Sequence, residues 1–314
     1  MLRFMLIGLI VFAATTAEAT KLPETITQAK RIAFLGDSIT DAGHYISIIE
    51  YHLRMLRLKR MPELINLGLP SETCSGLSEP DHPFPRPNVH ERIDRALARV
   101  KPDVVVACYG MNDGIYYPFS KKRFLAYQDG VKKIITKVRK SGAKLILMTP
   151  PAFDPLPLKK KGKLRPAGSK KYAWFAIYAG YDDVLARYAK WVMTIRQDVS
   201  AVIDLHTPVN KQLKAKRKSN PDYVMSGDGV HVNLDGHKVL ARAILTKCGI
   251  KVRSKTNSTV FKLISQRQSM LHAAWLSHVG HKRPGVKAGL PIKEAQQRAK
   301  VLEEKIQEAL RSNE

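Results

Sequence analysis

Short apolar runs rich in β-branched residues alternate along this chain with stretches of helical periodicity, and this alternation constrains the fold more than any other feature. The apolar runs are Arg31–Leu35, Glu63–Leu67, Asp103–Cys108, Lys144–Met148 and Ala201–Leu205. The periodic stretches are Tyr45–Leu58, His90–Val100, Lys122–Lys140 and Asp183–Gln197. Strands that alternate with helices of this length form right-handed βαβ units, in which helices cover both faces of a parallel sheet. The pattern therefore predicts an α/β fold with a five-stranded parallel sheet.

The composition is that of a globular protein. The chain has 314 residues, of which 44% are hydrophobic and 25% are charged, and a chain of this kind buries a core instead of staying disordered. The length suits one large domain or two small ones. The three cysteines, Cys74, Cys108 and Cys248, are too few and too scattered for a disulfide scaffold or a thiolate metal site.

The first 19 residues have the layout of a secretory signal peptide. Arg3 precedes an apolar run over residues 4–14, and small residues follow at Ala17 and Ala19. A buried N-terminal helix and a membrane anchor are the alternatives, but a membrane span needs about 20 apolar residues. We therefore expect cleavage after Ala19, a periplasmic or secreted protein, and no transmembrane segment after cleavage.

The chain is strongly basic, with 53 Lys and Arg residues against 27 Asp and Glu residues and a net charge of +26. Such a charge often indicates nucleic-acid binding, but an exported protein meets little nucleic acid, so we do not expect that partner. An anionic polymer at the basic surface is one interpretation, and simple solubility is the other. The densest lysine runs, Lys159–Lys163 and Lys211–Lys218, are typical of exposed loops or helix ends.

Polar clusters follow the predicted strands or open the predicted helices. They are Gly36–Thr40, Asn66–Gly68, Tyr109–Asp113 and Ser226–His231. In an open parallel sheet the ligand site lies beyond the carboxyl ends of the strands. The fold would therefore gather these four clusters at one rim.

The residue types in these clusters are those that acyl transfer requires. A serine such as Ser38 becomes a nucleophile when a base takes its proton, and the base needs a carboxylate to fix its tautomer. His231 and Asp228, three residues apart, supply both groups. The backbone N–H groups of Ser38 and Gly68 and the side-chain amide of Asn112 are candidate donors to the oxyanion. We expect no metal site.

The four clusters resemble the sequence blocks of the SGNH hydrolases, also called the GDSL esterase/lipase family. Ser38 matches the serine of the Gly-Asp-Ser block, and Gly68 matches the glycine of the second block. Asn112 matches the asparagine of the Gly-x-Asn-Asp block, while Asp228 and His231 match the Asp-x-x-His block.

The resemblance spans about Arg31 to Ile250 and implies a three-layer α/β/α flavodoxin-like sandwich that hydrolyses esters without a metal or a cofactor. It also implies that Asp37 supports the nucleophile loop without a direct catalytic role. One departure concerns the second block, which often continues with a glycine where this chain has Pro70-Ser71.

Each site residue also has a purely structural interpretation. Ser38 could cap a helix, Gly68 could supply a turn with positive φ, and Asn112 could cap a turn. Asp228 begins an Asp-Gly dipeptide that is common in turns. The presence of all four blocks in this order favours the catalytic interpretation, whereas for His237 we favour a structural role.

We divide the chain into a signal peptide (1–19), a catalytic domain (20–250) and a C-terminal extension (251–314). The extension contains two periodic stretches, Phe261–His278 and Ile292–Leu310, which predict a helical hairpin packed on the core.

Two sets of residues keep a second interpretation open. In the extension, one set could instead wall the active-site cleft: Trp275, His278, His281, Lys282 and Arg283. The aromatic segment Tyr172–Gly180 is either core or a substrate platform.

The sequence thus predicts a secreted serine esterase that removes acetyl or other short acyl groups from polysaccharides through an acyl-serine intermediate. One alternative is a lipase or thioesterase-type hydrolase of longer acyl chains, and acyl transfer could replace hydrolysis. The other alternative is a non-catalytic glycan-binding protein built on the same fold.

Overall fold

Five parallel strands form the central sheet of the protein. The computed structural model describes residues 22–254 and 256–312, so the predicted signal peptide lies outside the described residues. The strands are β1 (Arg31–Gly36), β2 (Glu63–Asn66), β3 (Val104–Cys108), β4 (Lys144–Met148) and β5 (Ala201–Ile203). Their order is β2-β1-β3-β4-β5, the flavodoxin-like order. The predicted α/β fold is confirmed, and four strands lie within the apolar runs that predicted them, while β1 extends one residue beyond its run, to Gly36.

Helices connect the strands and cover the sheet. Those of the first half are α1 (Leu22–Thr27), α2 (Ser38–Asp41), α3 (His44–Arg54), α4 (Ile93–Val100) and α5 (Lys121–Lys140). Those of the second half are α6 (Leu156–Lys160), α7 (Tyr181–Thr194), α8 (His206–Arg217), α9 (Leu234–Lys247), α10 (Ser258–Val279) and α11 (Ile292–Arg311). Helices α3 and α9 pack on each other in one layer, while α4, α5 and α7 form the other.

Some strands and helices end earlier in the structure than the sequence pattern predicts. Strand β5 ends at Ile203 because the N–H groups of Leu205 and His206 donate to Thr149 Oγ1 (2.8 and 3.2 Å), which turns the chain into α8. Helix α3 ends at Arg54, and the chain reaches a left-handed conformation at Arg57 (φ 50°). Tertiary hydrogen bonds and backbone angles, which periodicity does not report, set these ends.

Helix α10 covers the outer edge of β2. Gln268 Nε2 donates to the carbonyl of Leu64 (3.2 Å), and His272 Nδ1 lies 3.0 Å from the carbonyl oxygen of Asn66. Four residues of helix rise about 6 Å and two residues of strand rise about 6.6 Å, so these side chains match successive outward carbonyls. The extension therefore satisfies an edge that would otherwise present unpaired backbone groups.

The C-terminal helices pack on the sheet domain as the hairpin interpretation predicts. Trp275 is 4% exposed and belongs to the same hydrophobic core as the sheet, so it does not wall a cleft. Arg54 of α3 donates to both carboxylate oxygens of Glu303 of α11 at 2.7 Å and also pairs with Glu50. The proposed division at residue 250 stays a prediction, but α10 contributes side chains to the main core.

Both lysine-rich runs fall at helix ends, as expected. Lys159 and Lys160 lie in the last turn of α6, and Lys214, Lys216 and Arg217 lie in the last turn of α8. Cations there are favourable to the helix dipole. No helix within 22–254 or 256–312 combines the length and apolarity that a membrane span needs.

Candidate active site

Ser38 stands at the point where β1 ends and α2 begins. Asp37 is the N-cap of α2, with its Oδ1 accepting a hydrogen bond from Ile39 N (2.9 Å), so Ser38 is the first helical residue and not the cap. Gly36 allows this turn, because a Cβ at Gly36 would lie 2.2 Å from Thr40 Oγ1. The hydroxyl of Ser38 is thereby left for contacts outside its own helix.

The loop before α9 holds His231 and Asp228 in one rigid turn. Asp228 Oδ1 accepts hydrogen bonds from Ser226 Oγ (2.9 Å), Val230 N (2.9 Å) and His231 N (2.8 Å). Gly229 adopts φ 80°, and a Cβ there would meet the Asp154 carbonyl oxygen at 2.4 Å. Only glycine satisfies both conditions, so this Asp-Gly turn fixes the carboxylate beside the imidazole.

A chain of two hydrogen bonds joins the three groups predicted to act together. Ser38 Oγ lies 2.8 Å from His231 Nε2, and His231 Nδ1 lies 2.6 Å from Asp228 Oδ2. The side chains of His231 and Asp228 are 54% and 51% exposed, so the site opens at the protein surface. This is the arrangement in which a base takes the serine proton while a carboxylate holds the base.

The electrostatics of this pair favour a charged imidazolium. The hydrogen bond that His231 donates to Asp228 raises the pKa of His231 above its usual 6.5, although burial acts in the opposite direction. Burial alone would raise the pKa of Asp228, but hydrogen bonds from the His231 side chain and backbone hold it well below the usual range. An imidazolium that forms during proton transfer is therefore stabilised by Asp228.

Asp37 is a buried carboxyl next to the nucleophile. It is 4% exposed, and burial raises its pKa from 3.8 to about 7, against the hydrogen bond from Ile39 N. Its cap of α2 supports the loop that carries Ser38, which agrees with the supporting role expected of it.

Asn112 lies just beyond the end of β3 with its amide oriented by two neighbours. Tyr116 donates its hydroxyl proton to Asn112 Oδ1 (2.8 Å), and Asn112 Nδ2 donates to the Glu72 carbonyl (3.2 Å). The second N–H of that amide has no acceptor among the described residues. Tyr116 reaches Asn112 through a strained turn, because Ile115 and Tyr116 both have positive φ (46° and 63°).

Gly68 does not present the free N–H that the sequence led us to expect. Its N–H donates to Asn66 Oδ1 (2.8 Å). A Cβ at Gly68 would lie 2.2 Å from Asp41 N, so the glycine allows the backbone of α2 to pack closely on this loop. The prediction that Gly68 donates to the oxyanion is therefore corrected to a packing role.

Ser71 is a further candidate donor in this loop, one that the sequence did not single out. It has φ 67°, a left-handed conformation that costs a non-glycine residue of order 1–3 kcal/mol, and its N–H has no partner among the described residues. Leu69 N donates to the Gly36 carbonyl (2.9 Å) and the Glu72 carbonyl accepts from Asn112, so Ser71 lies between the ends of β1 and β3. The sequence feature that could have indicated this donor is Pro70-Ser71, which stands where the second block of the family often has a glycine.

The remaining candidates divide between core and surface. His237 is 1% exposed and stacks on Tyr45, and burial lowers its pKa to about 3, which agrees with a structural role. Within the aromatic segment, Tyr172 is buried, whereas Trp174 and Phe175 are 51% and 48% exposed. The described residues contain no cluster of three His, Cys, Asp or Glu side chains placed to hold a metal ion.

The sequence model of the GDSL-like Lipase/Acylhydrolase family matches residues 34–239, which is more than half of the chain. The chain therefore belongs to this family, also known as the SGNH hydrolases, and is a carboxylic ester hydrolase. No curated protein matches the chain in sequence.

Several solved structures share the fold. Axe2, an acetylxylan esterase from Geobacillus stearothermophilus, is 22% identical with a TM-score of 0.51, over 72% of this chain and 97% of that chain. The acetyl xylan esterase AlAXEase is 21% identical with a TM-score of 0.50, over 69% and 98%. A gut microbial diltiazem-metabolizing enzyme is 21% identical with a TM-score of 0.52. The match covers 70% of this chain, and this chain spans about half (47%) of that protein.

Proposed function

We propose that the protein removes acetyl or other short acyl groups from glycans, with Ser38 as the nucleophile. The observation that carries this proposal is the position of His231, which bridges Ser38 Oγ and Asp228 Oδ2 at 2.8 and 2.6 Å. Ser38 attacks the ester carbonyl while His231 takes its proton, and His231 then protonates the departing alcohol. Water, deprotonated by the same imidazole, hydrolyses the acyl-Ser38 ester.

The oxyanion of each tetrahedral intermediate needs preorganised donors. The N–H of Ser38, the free N–H of the Asn112 amide and the N–H of Ser71 fill this role in our proposal. The Asn112 amide is held at its oxygen by Tyr116 and at its other N–H by the Glu72 carbonyl, so it need not reorganise when charge develops.

Two features support a glycan over a long acyl chain. His231 is half exposed, and a cavity of about 810 Å³ is lined by residues of α3, α10, α11 and the loops beside them and not by Ser38. An open rim suits a polymer, whereas a long acyl chain needs an enclosed apolar channel. The acetylxylan esterases named above share this fold, which supports an acetylated glycan as the substrate.

An exposed aromatic pair lies on the oxyanion side of the site. The backbone N–H of Trp174 donates to Glu79 Oε1 (3.3 Å), and Glu79 forms a buried ion pair with Arg86, which stacks under the Tyr116 ring. The buried Glu79–Arg86 ion pair thus anchors the backbone at Trp174. The exposed rings of Trp174 and Phe175 can contact sugar rings there.

Basic groups near the catalytic loop suit a glycan that carries negative charge. Lys161 Nζ donates to the Gly227 carbonyl (3.0 Å), next to Asp228. An anionic polymer at the basic surface remains part of the proposal.

The test has two arms. Labelling with a fluorophosphonate probe should modify the wild type and not Ser38→Ala, while Ser219→Ala, which removes an exposed serine hydroxyl beyond the end of α8, serves as the matched control. A series of p-nitrophenyl esters from acetate to palmitate should show turnover of acetate and a steep fall beyond butyrate. Maximal turnover at octanoate or longer would instead indicate the lipase or thioesterase alternative, and absence of labelling would indicate the non-catalytic one.

Export is the last part of the proposal, and the sequence pattern of residues 1–19 supports it. Sequencing the N-terminus of the mature protein should find Thr20 first. A mature protein that begins at Met1 would contradict export by this signal.

A further inference from the structure

We propose that Arg283, in the C-terminal extension, is a positioning residue that orients the Ser71 N–H towards the oxyanion. This inference rests on the function proposed above, because it takes Ser38 as the nucleophile and Ser71 N–H as a donor.

The contact that carries the inference is a hydrogen bond across 213 residues of sequence. Arg283 Nε donates to the carbonyl oxygen of Pro70 at 2.8 Å. In a trans peptide the C=O and the following N–H point in opposite directions, and the described residues contain no cis peptide. Holding the Pro70 carbonyl therefore fixes the direction of the Ser71 N–H.

The guanidinium of Arg283 is itself held in place. Its Nη1 donates to the Pro284 carbonyl (2.8 Å), and its plane lies over the Phe84 ring, 5.1 Å from the ring centre. It is thus a fixed donor and not a mobile surface cation.

A second arginine holds the other side of Ser71. Arg86 Nη1 donates to the Ser71 carbonyl (3.3 Å), and Arg86 is fixed by its buried ion pair with Glu79. The two peptide groups that flank the strained Ser71 are therefore each held by a guanidinium, one from within the loop and one from the extension. A non-glycine residue with positive φ persists where its surroundings over-determine it, and these two contacts do so.

The extension also contacts the nearby backbone through His272, independently of Arg283. Its Nδ1 lies 3.0 Å from the Asn66 carbonyl oxygen, and its Nε2 lies 2.9 Å from Asp41 Oδ1. The extension thus contacts the end of β2 and the last residue of α2, the helix that carries Ser38.

The experiment compares Arg283→Met with Arg95→Met. Methionine keeps an apolar stem against Phe84 and removes the donors. Arg95 is the matched control, because it donates to the carbonyls of Val279 and Gly280 and so anchors the same extension without touching Pro70. With p-nitrophenyl acetate and active-site titration, we expect Arg283→Met to lower kcat by about tenfold or more at nearly constant KM. Arg95→Met should leave both constants unchanged while changing Tm to a similar extent.

Two further measurements separate positioning from a loss of packing. Arg283→Lys, which can still donate to the Pro70 carbonyl, should recover part of kcat. A boronic acid that forms a tetrahedral adduct with Ser38 should lose affinity for Arg283→Met by about the same factor as kcat/KM, as expected of a transition-state mimic.

Equal kcat per titrated site in Arg283→Met and Arg95→Met would overturn the inference. A fall in kcat that Arg283→Lys does not recover in any part, with no loss of boronate affinity, would also overturn it. Failure of the proposed function itself is distinguishable, because the wild type would then neither react with a fluorophosphonate nor turn over the ester.

Discussion

The hydroxyl of Tyr116 donates to Oδ1 of Asn112 at 2.8 Å, which leaves the nitrogen end of that amide as the only end able to act on a substrate. The carbonyl of Glu72 takes one of the two amide protons at 3.2 Å. One proton remains. The contacts with Tyr116 and Glu72 thus hold the Asn112 amide in one orientation, with one N–H free to donate.

Replacing Asn112 with alanine should lower kcat by about 10²–10³, or roughly 3–4 kcal/mol, by analogy with the loss of one oxyanion donor elsewhere. KM should change little, because the hydrogen bond strengthens as charge develops. Kinetics on titrated enzyme, with thermal melts alongside, measure this. A normal kcat per titrated site with a lowered Tm would show that Asn112 only stabilises its turn.

Replacing Tyr116 with phenylalanine should lower kcat by about tenfold, less than loss of Asn112 itself, because the amide stays but loses its orientation. The stacking over Arg86 is retained in this variant. Tyr117→Phe is the matched control, since Tyr117 lies beside Tyr172 and Arg123 and not beside Asn112. Identical kinetics for the two variants would contradict the orienting role.

The pH–rate profile should rise through the pKa of His231, with a midpoint above 6.5. The imidazole must be neutral to accept the serine proton, and its pKa is raised chiefly by its hydrogen bond to Asp228. Activity is therefore lost as pH falls through this raised pKa. Asp228→Asn removes the carboxylate and should move the midpoint to lower pH as well as reducing kcat. A midpoint that Asp228→Asn leaves unmoved would show that another group titrates.

Asp37→Asn should stabilise the protein at high pH. The folded-state pKa of Asp37 is raised from 3.8 to about 7, so the folded protein holds a proton that the unfolded chain releases. The contribution of Asp37 protonation to the free energy of unfolding is fully present below about pH 4. It is lost as pH rises towards 7. Asparagine still caps α2 but carries no charge, so it should be more stable than the wild type above pH 7, by up to a few kcal/mol.

Urea unfolding of Asp37→Asn and the wild type at pH 4 and pH 8 measures this difference. Asp41→Asn provides a nearby carboxylate control. An equal free-energy difference at both values of pH would show that the Asp37 carboxyl does not titrate with a raised pKa.

Ser71→Gly should retain activity, whereas Gly68→Ala should lose stability. Glycine relieves the positive φ of Ser71 and keeps the N–H, so kcat should stay within about threefold of the wild type. Alanine at Gly68 would place a Cβ 2.2 Å from Asp41 N, so the variant should lose several kcal/mol of stability or fail to fold. Chemical unfolding and kcat per titrated site separate the two effects. A large loss of kcat in Ser71→Gly would assign the donor to the serine hydroxyl.

The sequence by itself determined the sheet and the residues at its rim. Periodicity identified β1 to β5 and helix α5, because each depends on residues close together in the chain. The rule that carboxyl ends of parallel strands share one edge then brought Ser38 to His231 and Asp228.

Only the tertiary structure decided which donors are free. Whether the N–H of Gly68 is taken by Asn66, and whether that of Ser71 is left open, depends on backbone angles and on contacts between distant residues. The same holds for Tyr116 on Asn112 and for Arg283 on Pro70. A local pattern reports which face of a helix or strand is apolar, but hydrogen bonds that close long loops are chosen only when the whole chain has packed.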